Sequence, residues 1–274
     1  MAQPEIHWTL APSALLPLLA YAAIYVWRFR RARSEAGGRG AGLFQAFAFT
    51  GALLVMVIAV ASPLDGLGEE YLFSAHMIQH ILLSDIAPLL LLLSLSRVIM
   101  RPATRRLMRL ERALGRLAHP ATGLMVWFGL VYLWHIPALY VAAIENPVLH
   151  ALEHASFFTA GVAVWWPLVQ PVPMRRRLTG LSTFAYIGAA KAGLAALGLF
   201  LTWSTTVAYS FYATAPRVWG ISAIDDQNAG GAIMMVEQST VLVIAFFILF
   251  GKMLAQSEED ERRRERLEDA ARTA

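Results

Sequence analysis

Apolar residues along this chain gather into long runs, which short segments rich in polar residues, glycine and proline separate. Each run has about the 20 residues that a helix needs to cross the hydrocarbon core of a bilayer. The pattern therefore predicts an all-α polytopic membrane protein with seven transmembrane helices. The predicted helices lie near residues 10–27, 43–61, 74–96, 121–141, 147–168, 181–203 and 229–251.

The basic residues predict how these helices are oriented. All but two of the 23 Lys and Arg residues lie in the first, third and fifth connections or in the C-terminal tail. Positive charge is retained on the cytoplasmic side of a membrane, so we expect the N-terminus outside and the C-terminus in the cytoplasm. Residues 1–251 form a single predicted membrane domain, and residues 252–274 form a charged cytoplasmic tail. Residues 101–116 combine arginines with leucines at helical spacing, which is typical of an amphipathic helix on the inner leaflet.

Composition narrows the class of protein further. Hydrophobic residues make up 57% of the chain and charged residues only 15%, against about 25% charged residues in an ordinary soluble domain. This composition excludes a soluble enzyme. The absence of cysteine excludes disulfides and thiolate metal sites. We expect the protein to have the lipid bilayer as a partner, and we expect it not to bind nucleic acid.

Three ionisable residues fall inside the predicted membrane helices. Asp85 lies in the third, Lys191 in the sixth and Glu237 in the seventh, all at similar depth. A lysine within a membrane is costly unless it is paired or faces water. The three residues therefore predict either an ion pair that locks three helices together or a relay for protons or cations.

Five histidines mark one end of the predicted bundle: His76, His80, His135, His150 and His154. Two pairs have i,i+4 spacing, which places both rings of each pair on one helix face. With the predicted helix directions, all five rings converge near the outer surface, at about two adjacent helical turns. Neutral imidazole is a common metal ligand, so the cluster predicts a metal site. We expect His80, His135 and His154 to form its inner layer, and His76 and His150 its outer layer.

The histidines alone leave the identity of the metal open, because imidazole binds copper, zinc, iron and nickel. Thioether groups favour Cu(I), and Met77, Met234 and Met235 are predicted at a similar depth. Methionine is also an ordinary core residue, so this support for copper is weak.

Two local motifs allow other interpretations. The segment from His150 to His154 matches H-x-x-E-H, in which two histidines bind zinc and the glutamate is the general base of a hydrolase. In that interpretation Glu153 is catalytic. Otherwise it either orients a histidine or faces a neighbouring helix. Asp226, beside Asp225 at the start of the seventh run, either caps the helix or attracts a cation. Haem binding by histidines of facing helices also remains open, as does a purely structural scaffold.

Four strings of residues carry a resemblance to a known family. HMIQHILLSDIAPLLLLL, WHIPALY, NPVLHALEHASFFTAGVAVWWPL and DDQNAGGAIMMV occur in this order. Together they resemble the CtaG-type family of cytochrome c oxidase assembly proteins, over about residues 40–251. This polytopic family is distinct from the single-span copper chaperone that shares its name.

The resemblance implies a seven-helix protein of the bacterial inner membrane that is not an enzyme. It implies that the chain helps to build an active haem–copper oxidase by handling copper. The implied partners are a cytochrome c oxidase subunit and a periplasmic copper donor, and a homodimer is compatible with them. The implied metal ligands are the five clustered histidines, with Asp226 part of the last motif.

Overall fold

The computed structural model describes residues 4, 7–9 and 12–273, and this part of the chain is helical with no strand. Residues 10 and 11, the start of the first predicted run, lie outside the described residues. The helices are α1 (Pro12–Glu35), α2 (Leu43–Ala61), α3 (Pro63–Glu70), α4 (Phe73–Ile81), α5 (Ala87–Ser94), α6 (Arg101–Leu114), α7 (Pro120–Trp134), α8 (Pro137–Glu145), α9 (Pro147–Val169), α10 (Leu181–Trp203), α11 (Ser210–Thr214) and α12 (Ala223–Thr273).

Most predicted runs correspond to helices, with differences at their ends. Helices α2 and α10 have the predicted bounds, and a π-helical turn at Leu82–Ile86 joins α4 to α5 into the third predicted helix. Helix α12 begins six residues before the predicted residue 229 and continues through the tail. The tail is rich in arginine and glutamate, which are strong helix formers, so the tail extends α12 as helix.

The fourth predicted helix is broken, which corrects the expectation of one continuous helix over 121–141. Helix α7 ends at Trp134, and α8 begins at Pro137. Proline disfavours the helical conformation in the residue before it, and Ile136 has an extended ψ of 123°. This break leaves His135 at the C-terminal end of α7.

By length and hydropathy, four helices of the described residues qualify as membrane spans, and a fifth span is formed if the bent pair 101–118 and 120–134 counts as one. Helix α9 has 23 residues, which is long enough, but His150, Glu153 and His154 lower its hydropathy. Helix α7 has only 15 residues because of the break. The fold is therefore that of an all-helical, multi-pass membrane protein whose polar site weakens the hydropathy signal of the helices that carry it.

The arginine-rich connections lie together at one end of the bundle. Arg28, near the end of α1, donates from Nε to the carbonyl of Ile99 at 2.9 Å and from a terminal nitrogen to that of Val98 at 2.8 Å. The Glu111 carboxylate on α6 accepts a hydrogen bond from the backbone N–H of Arg175 at 2.9 Å. The first, third and fifth predicted connections are thus joined by direct contacts.

The remaining connections meet at another end. Tyr212 on α11 donates its hydroxyl to the carbonyl of Gly68 on α3 at 2.6 Å. The neighbouring Tyr209 donates to the carbonyl of His135 at 3.2 Å. Helices α3 and α11 and the α7–α8 break therefore form one surface of contact, and this surface carries the histidines.

Helix α9 packs directly against the π-helical turn. Gly161 faces the backbone of Ser84, and a Cβ atom at Gly161 would overlap the Ser84 carbonyl and come within 2.7 Å of the Pro88 ring. The missing side chain permits this approach, which sets the distance between the two helices that carry four of the histidines.

We expect Gly161→Ala to destabilise the protein by roughly 1–3 kcal/mol, because the added methyl group forces the two backbones apart. Thermal unfolding in detergent measures the effect. Gly129→Ala is the matched control, since Gly129 is also within a helix but a Cβ atom there would meet no other atom within 4 Å. An equal response of the two variants would contradict the importance of this contact.

Candidate metal centre

Five histidine rings from three places in the fold lie against one another. The ring centroids are 4.1 Å apart for His76 and His80 on α4, and 4.0 Å apart for His150 and His154 on α9. The two pairs face each other, with 5.4 Å between His76 and His150. His135, at the α7–α8 break, has its ring centroid 6.2 Å from that of His80.

The starts of α4 and α9 are fixed by side-chain caps. Asp226 on α12 accepts hydrogen bonds from the backbone N–H groups of Phe73 at 2.6 Å and Ser74 at 3.1 Å. Asn146 caps α9 by accepting from the backbone N–H groups of Val148 and Leu149 at 2.9 and 3.2 Å. Such caps satisfy backbone donors that a helix start leaves free. The structure thus places Asp226 as a cap of the helix that carries two histidines.

Three histidines have an outer hydrogen-bond partner at Nδ1. His150 Nδ1 lies 2.6 Å from a carboxylate oxygen of Glu69, and His135 Nδ1 lies 2.7 Å from the carbonyl of Val131. His76 Nδ1 lies 3.0 and 3.1 Å from the hydroxyls of Tyr140 and Tyr212 respectively. Metal-binding histidines are typically oriented in this way, with one ring nitrogen held by a partner so that the other is free to bind the ion.

Within the part of the chain that the structure describes, the Nε2 atom of each of the five histidines is buried without a hydrogen-bond partner. A neutral imidazole that donates from Nδ1 carries a lone pair on Nε2. Burying such a polar atom without a partner is unfavourable. Five unpartnered nitrogens in one cluster therefore fit a metal ion, which accepts several lone pairs at once.

Glu153 adds a carboxylate to the cluster. Its side chain is fully buried, and its Oε1 lies 3.6 Å from His80 Nε2. Neither carboxylate oxygen accepts a hydrogen bond from the residues that the structure describes. Among the described residues, two groups of donor atoms lie within 4.8 Å of one another. One consists of His76, His150 and His154, and the other of His76, His80 and Glu153. The cluster thus divides differently from the two predicted layers, since both groups share His76 and neither includes His135.

Two of the three methionines, Met77 and Met234, lie beside the cluster in an aromatic layer. Met77 and Met234 pack with residues that include Phe73, Tyr140 and Tyr209, and the thioether of Met235 accepts a weak hydrogen bond from Thr202 at 3.8 Å. Their packing is that of core residues, and it gives no support to thioether ligation.

The three intramembrane ionisable residues also come together. Lys191 contacts the Asp85 carboxylate, and its Nζ lies 3.8 Å from Glu237 Oε1. Trp165 donates its Nε1–H to the other Asp85 oxygen at 2.6 Å. Along α9, Phe157 lies between Glu153 and Trp165, and its ring packs 4.5 Å from that of His80. The Phe157 ring therefore lies between this ionic cluster and the histidines.

Sequence reasoning missed the outer partners of the histidines. Glu69 and Tyr212 come from α3 and α11, which are short helices in connections, and Tyr140 comes from the short helix α8 after the break. No spacing in the sequence relates these three residues to α4 or α9. Asp65 on α3 was missed as well; its carboxylate accepts a hydrogen bond from Gln79. Burial, and then the neighbouring charge of Glu69, raise the pKa of Asp65 to about 6.

Comparison with known proteins identifies the family. A family model described as cytochrome c oxidase caa3 assembly factor (Caa3_CtaG) matches residues 23–256. The match covers most of the chain, so the chain belongs to this family of oxidase assembly factors, which confirms the resemblance seen in its sequence. Neither the curated proteins nor the solved structures contain a match to the chain.

We expect the buried Asp65 carboxyl to make stability depend on pH. Its folded pKa of about 6 lies above the ordinary pKa of 3.8, so the folded state holds this proton more tightly than the unfolded state. The stabilising contribution is present below pH 3.8 and is lost as the pH rises to about 6. Asp65→Asn keeps the hydrogen-bond acceptor and removes the titration, so it should flatten this part of the curve and be more stable than wild type at about pH 7.

Thermal unfolding of both proteins between about pH 4 and 8 measures the difference, with the exposed Glu70→Gln as control. Parallel curves for wild type and Asp65→Asn would contradict the assignment.

Proposed function

We propose that this member of the cytochrome c oxidase caa3 assembly factor family binds copper in its histidine cluster and supplies it to the oxidase during assembly. The observation that carries the proposal is the set of five buried Nε2 atoms without partners. The Glu153 carboxylate beside His80 supplies negative charge that partly neutralises a bound cation. Family membership supports the role in oxidase assembly, and the donor chemistry supports a metal as the cargo.

The function of the family favours copper as the bound metal, because the haem–copper oxidase that is assembled needs copper. The imidazole and carboxylate donors accept either oxidation state of copper. The Cu(I) oxidation state stays a prediction. Thioether ligands would favour it, but Met77 and Met234 pack among aromatic residues as ordinary core side chains.

The two donor groups suggest how copper is held and released. The group of His76, His150 and His154 adjoins Glu69, whose side chain is 40% exposed, so it is the more accessible position. The group of His76, His80 and Glu153 is buried throughout. Because His76 belongs to both, an ion passes from one position to the other by exchanging two ligands while His76 stays bound.

We also propose seven crossings, with the N-terminus outside and the cytoplasmic tail at residues 252–274, in the inner membrane of a bacterium. The crossings are α1, α2, α4 with α5, α7 with α8, α9, α10 and α12. The contacts of the arginine-rich connections with one another support this topology, because positive charge stays on the cytoplasmic side. The histidine cluster then opens to the periplasm, where a copper donor and a subunit of the oxidase reach it.

Delivery on one side of the membrane fits the structure better than transport across it. Below the histidines, the path along α9 meets the Phe157 ring and then the ion pair of Lys191 with Asp85. Lys191 occupies the Asp85 carboxylate and lies 3.8 Å from that of Glu237, so these oxygens are not free to receive a copper ion.

The alternatives are less well supported. As a general base of a zinc hydrolase, Glu153 would need a bound water and access for a substrate, but its side chain is fully buried and lies in a group of donor atoms. Haem would need a slot for its flat macrocycle, whereas the rings of His76 and His80 already contact each other. We therefore propose a role in assembly without catalysis.

The central test replaces the histidine that both groups share. Elemental analysis of detergent-purified protein loaded with copper should find copper in wild type and at least roughly tenfold less in His76→Ala. The exposed His7→Ala is the matched control and should bind as wild type does. Normal copper content in a folded His76→Ala protein would refute the site, and zinc in place of copper would refute the proposed cargo.

A second test concerns the outer partner of His150. Glu69→Gln keeps the size of the side chain but removes the charge that holds Nδ1, so copper affinity should fall about 10–100-fold. Titration against a copper chelator of known affinity measures this change. Glu70→Gln, one residue further on and exposed, should leave the affinity unchanged, and equal affinities for all three proteins would exclude a role of Glu69 in orienting His150.

A further inference from the structure

An apolar groove lies at the arginine-rich end of the bundle, far along α9 from the histidines. Helix α6 and the 3₁₀ turn that follows it bend by 71° relative to α7, and the bend opens a cavity of about 270 Å³. Leu110, Leu114 and Leu117 line it from one side, and Trp166 and Pro167 at the end of α9 line it from the other. All three leucines are exposed, so the groove is open to its surroundings.

A basic pocket of about 410 Å³ adjoins this groove. The two cavities share Glu111 and Ala118, and Arg116, Arg175 and Arg176 line the basic one. The three arginine side chains are exposed, and none has an ion-pair partner among the described residues. Glu111 supplies one negative charge, so three positive charges beside the groove remain largely uncompensated.

We propose that groove and pocket together bind one anionic phospholipid. Its phosphate lies among Arg116, Arg175 and Arg176, and one acyl chain lies in the groove beneath Leu110 and Leu114. Two complementary surfaces in contact favour this ligand: arginine pairs well with phosphate, and the apolar side chains of the groove gain dispersion contacts with an acyl chain. Basic pockets between helices at the cytoplasmic face of membrane proteins are suited to anionic lipid headgroups.

The position of α6 gives this lipid a structural role. Helix α6 contacts the connection after α9, where Glu111 accepts a hydrogen bond from the Arg175 backbone. A lipid bound between them joins α6 to the ends of α7 and α9, and so fixes the end of α9 that lies opposite the histidines.

Native mass spectrometry of the protein in neutral detergent tests the proposal. Phosphatidylglycerol should remain bound to wild type, whereas phosphatidylcholine with the same acyl chains should dissociate. The triple variant R116Q/R175Q/R176Q should bind phosphatidylglycerol roughly tenfold or more weakly. The variant R116K/R175K/R176K keeps the charge and should recover most of the binding.

Matched controls separate this site from general attraction of basic residues to lipid. R262Q/R263Q/R264Q removes the same number of arginines from the tail and should bind as wild type does. Leu114→Gln, which places an amide in the groove, should weaken phosphatidylglycerol binding although every arginine remains. Thermal unfolding checks that each variant is folded.

Three results would overturn the proposal. Equal retention of phosphatidylcholine and phosphatidylglycerol would show that the groove binds acyl chains without recognising the anionic headgroup. Competition by glycerol 3-phosphate as strong as that by the lipid would make it a site for a soluble phosphate. Unchanged binding in the folded triple glutamine variant would show that the arginines do not recognise the headgroup.

Discussion

The rest of this structure depends on one constraint. Helices α4 and α9 and the α7–α8 break bury five histidine Nε2 atoms together, and none of these atoms has a hydrogen-bond partner among the described residues. A buried polar atom without a partner costs about 1–3 kcal/mol, and a folded protein has a net stability of only about 5–15 kcal/mol. Five such atoms together cost an amount comparable with that net stability, which supports our proposal of a metal ion that satisfies several of them at once. The carboxylate of Glu153 in the same cluster would offset part of the charge of such an ion.

The architecture around the cluster holds the rings while leaving these nitrogens free. Asp226 fixes the start of α4 from α12, and Gly161 lets α9 approach the π-helical turn. Glu69, Val131 and the two tyrosines each hold an Nδ1 atom, which orients the opposite ring nitrogen. The short helices α3, α8 and α11 thus supply most of the outer partners, and α4 and α9 supply most of the donors.

The sequence predicts the parts of this arrangement that follow from helical periodicity. The i,i+4 spacing of His76 with His80, and of His150 with His154, is enough to place each pair on one face. The break at Pro137 and the outer partner Glu69 do not follow from spacing in the same way. Pro137 falls within the apolar run over 121–141, and the contact of Glu69 depends on how α3 folds back over the start of α9. Asp226 stands out as part of a motif, but its function as a cap depends on the packing of α12 against α4.

A site that must release its metal needs ligands that exchange, whereas a site that retains its metal does not. The geometry of the histidine cluster provides such exchange. A closed structural site has one set of ligands, and loss of any of them is unfavourable. Here the two donor groups overlap at His76 and differ in exposure, so no single arrangement uses all the donors. His135 belongs to neither group, yet its Nε2 is also free, and it offers a ligand at the edge of the cluster. An excess of exchangeable imidazoles over the roughly four positions of a typical tetrahedral site lowers the barrier to moving an ion stepwise, as the proposed delivery of copper requires.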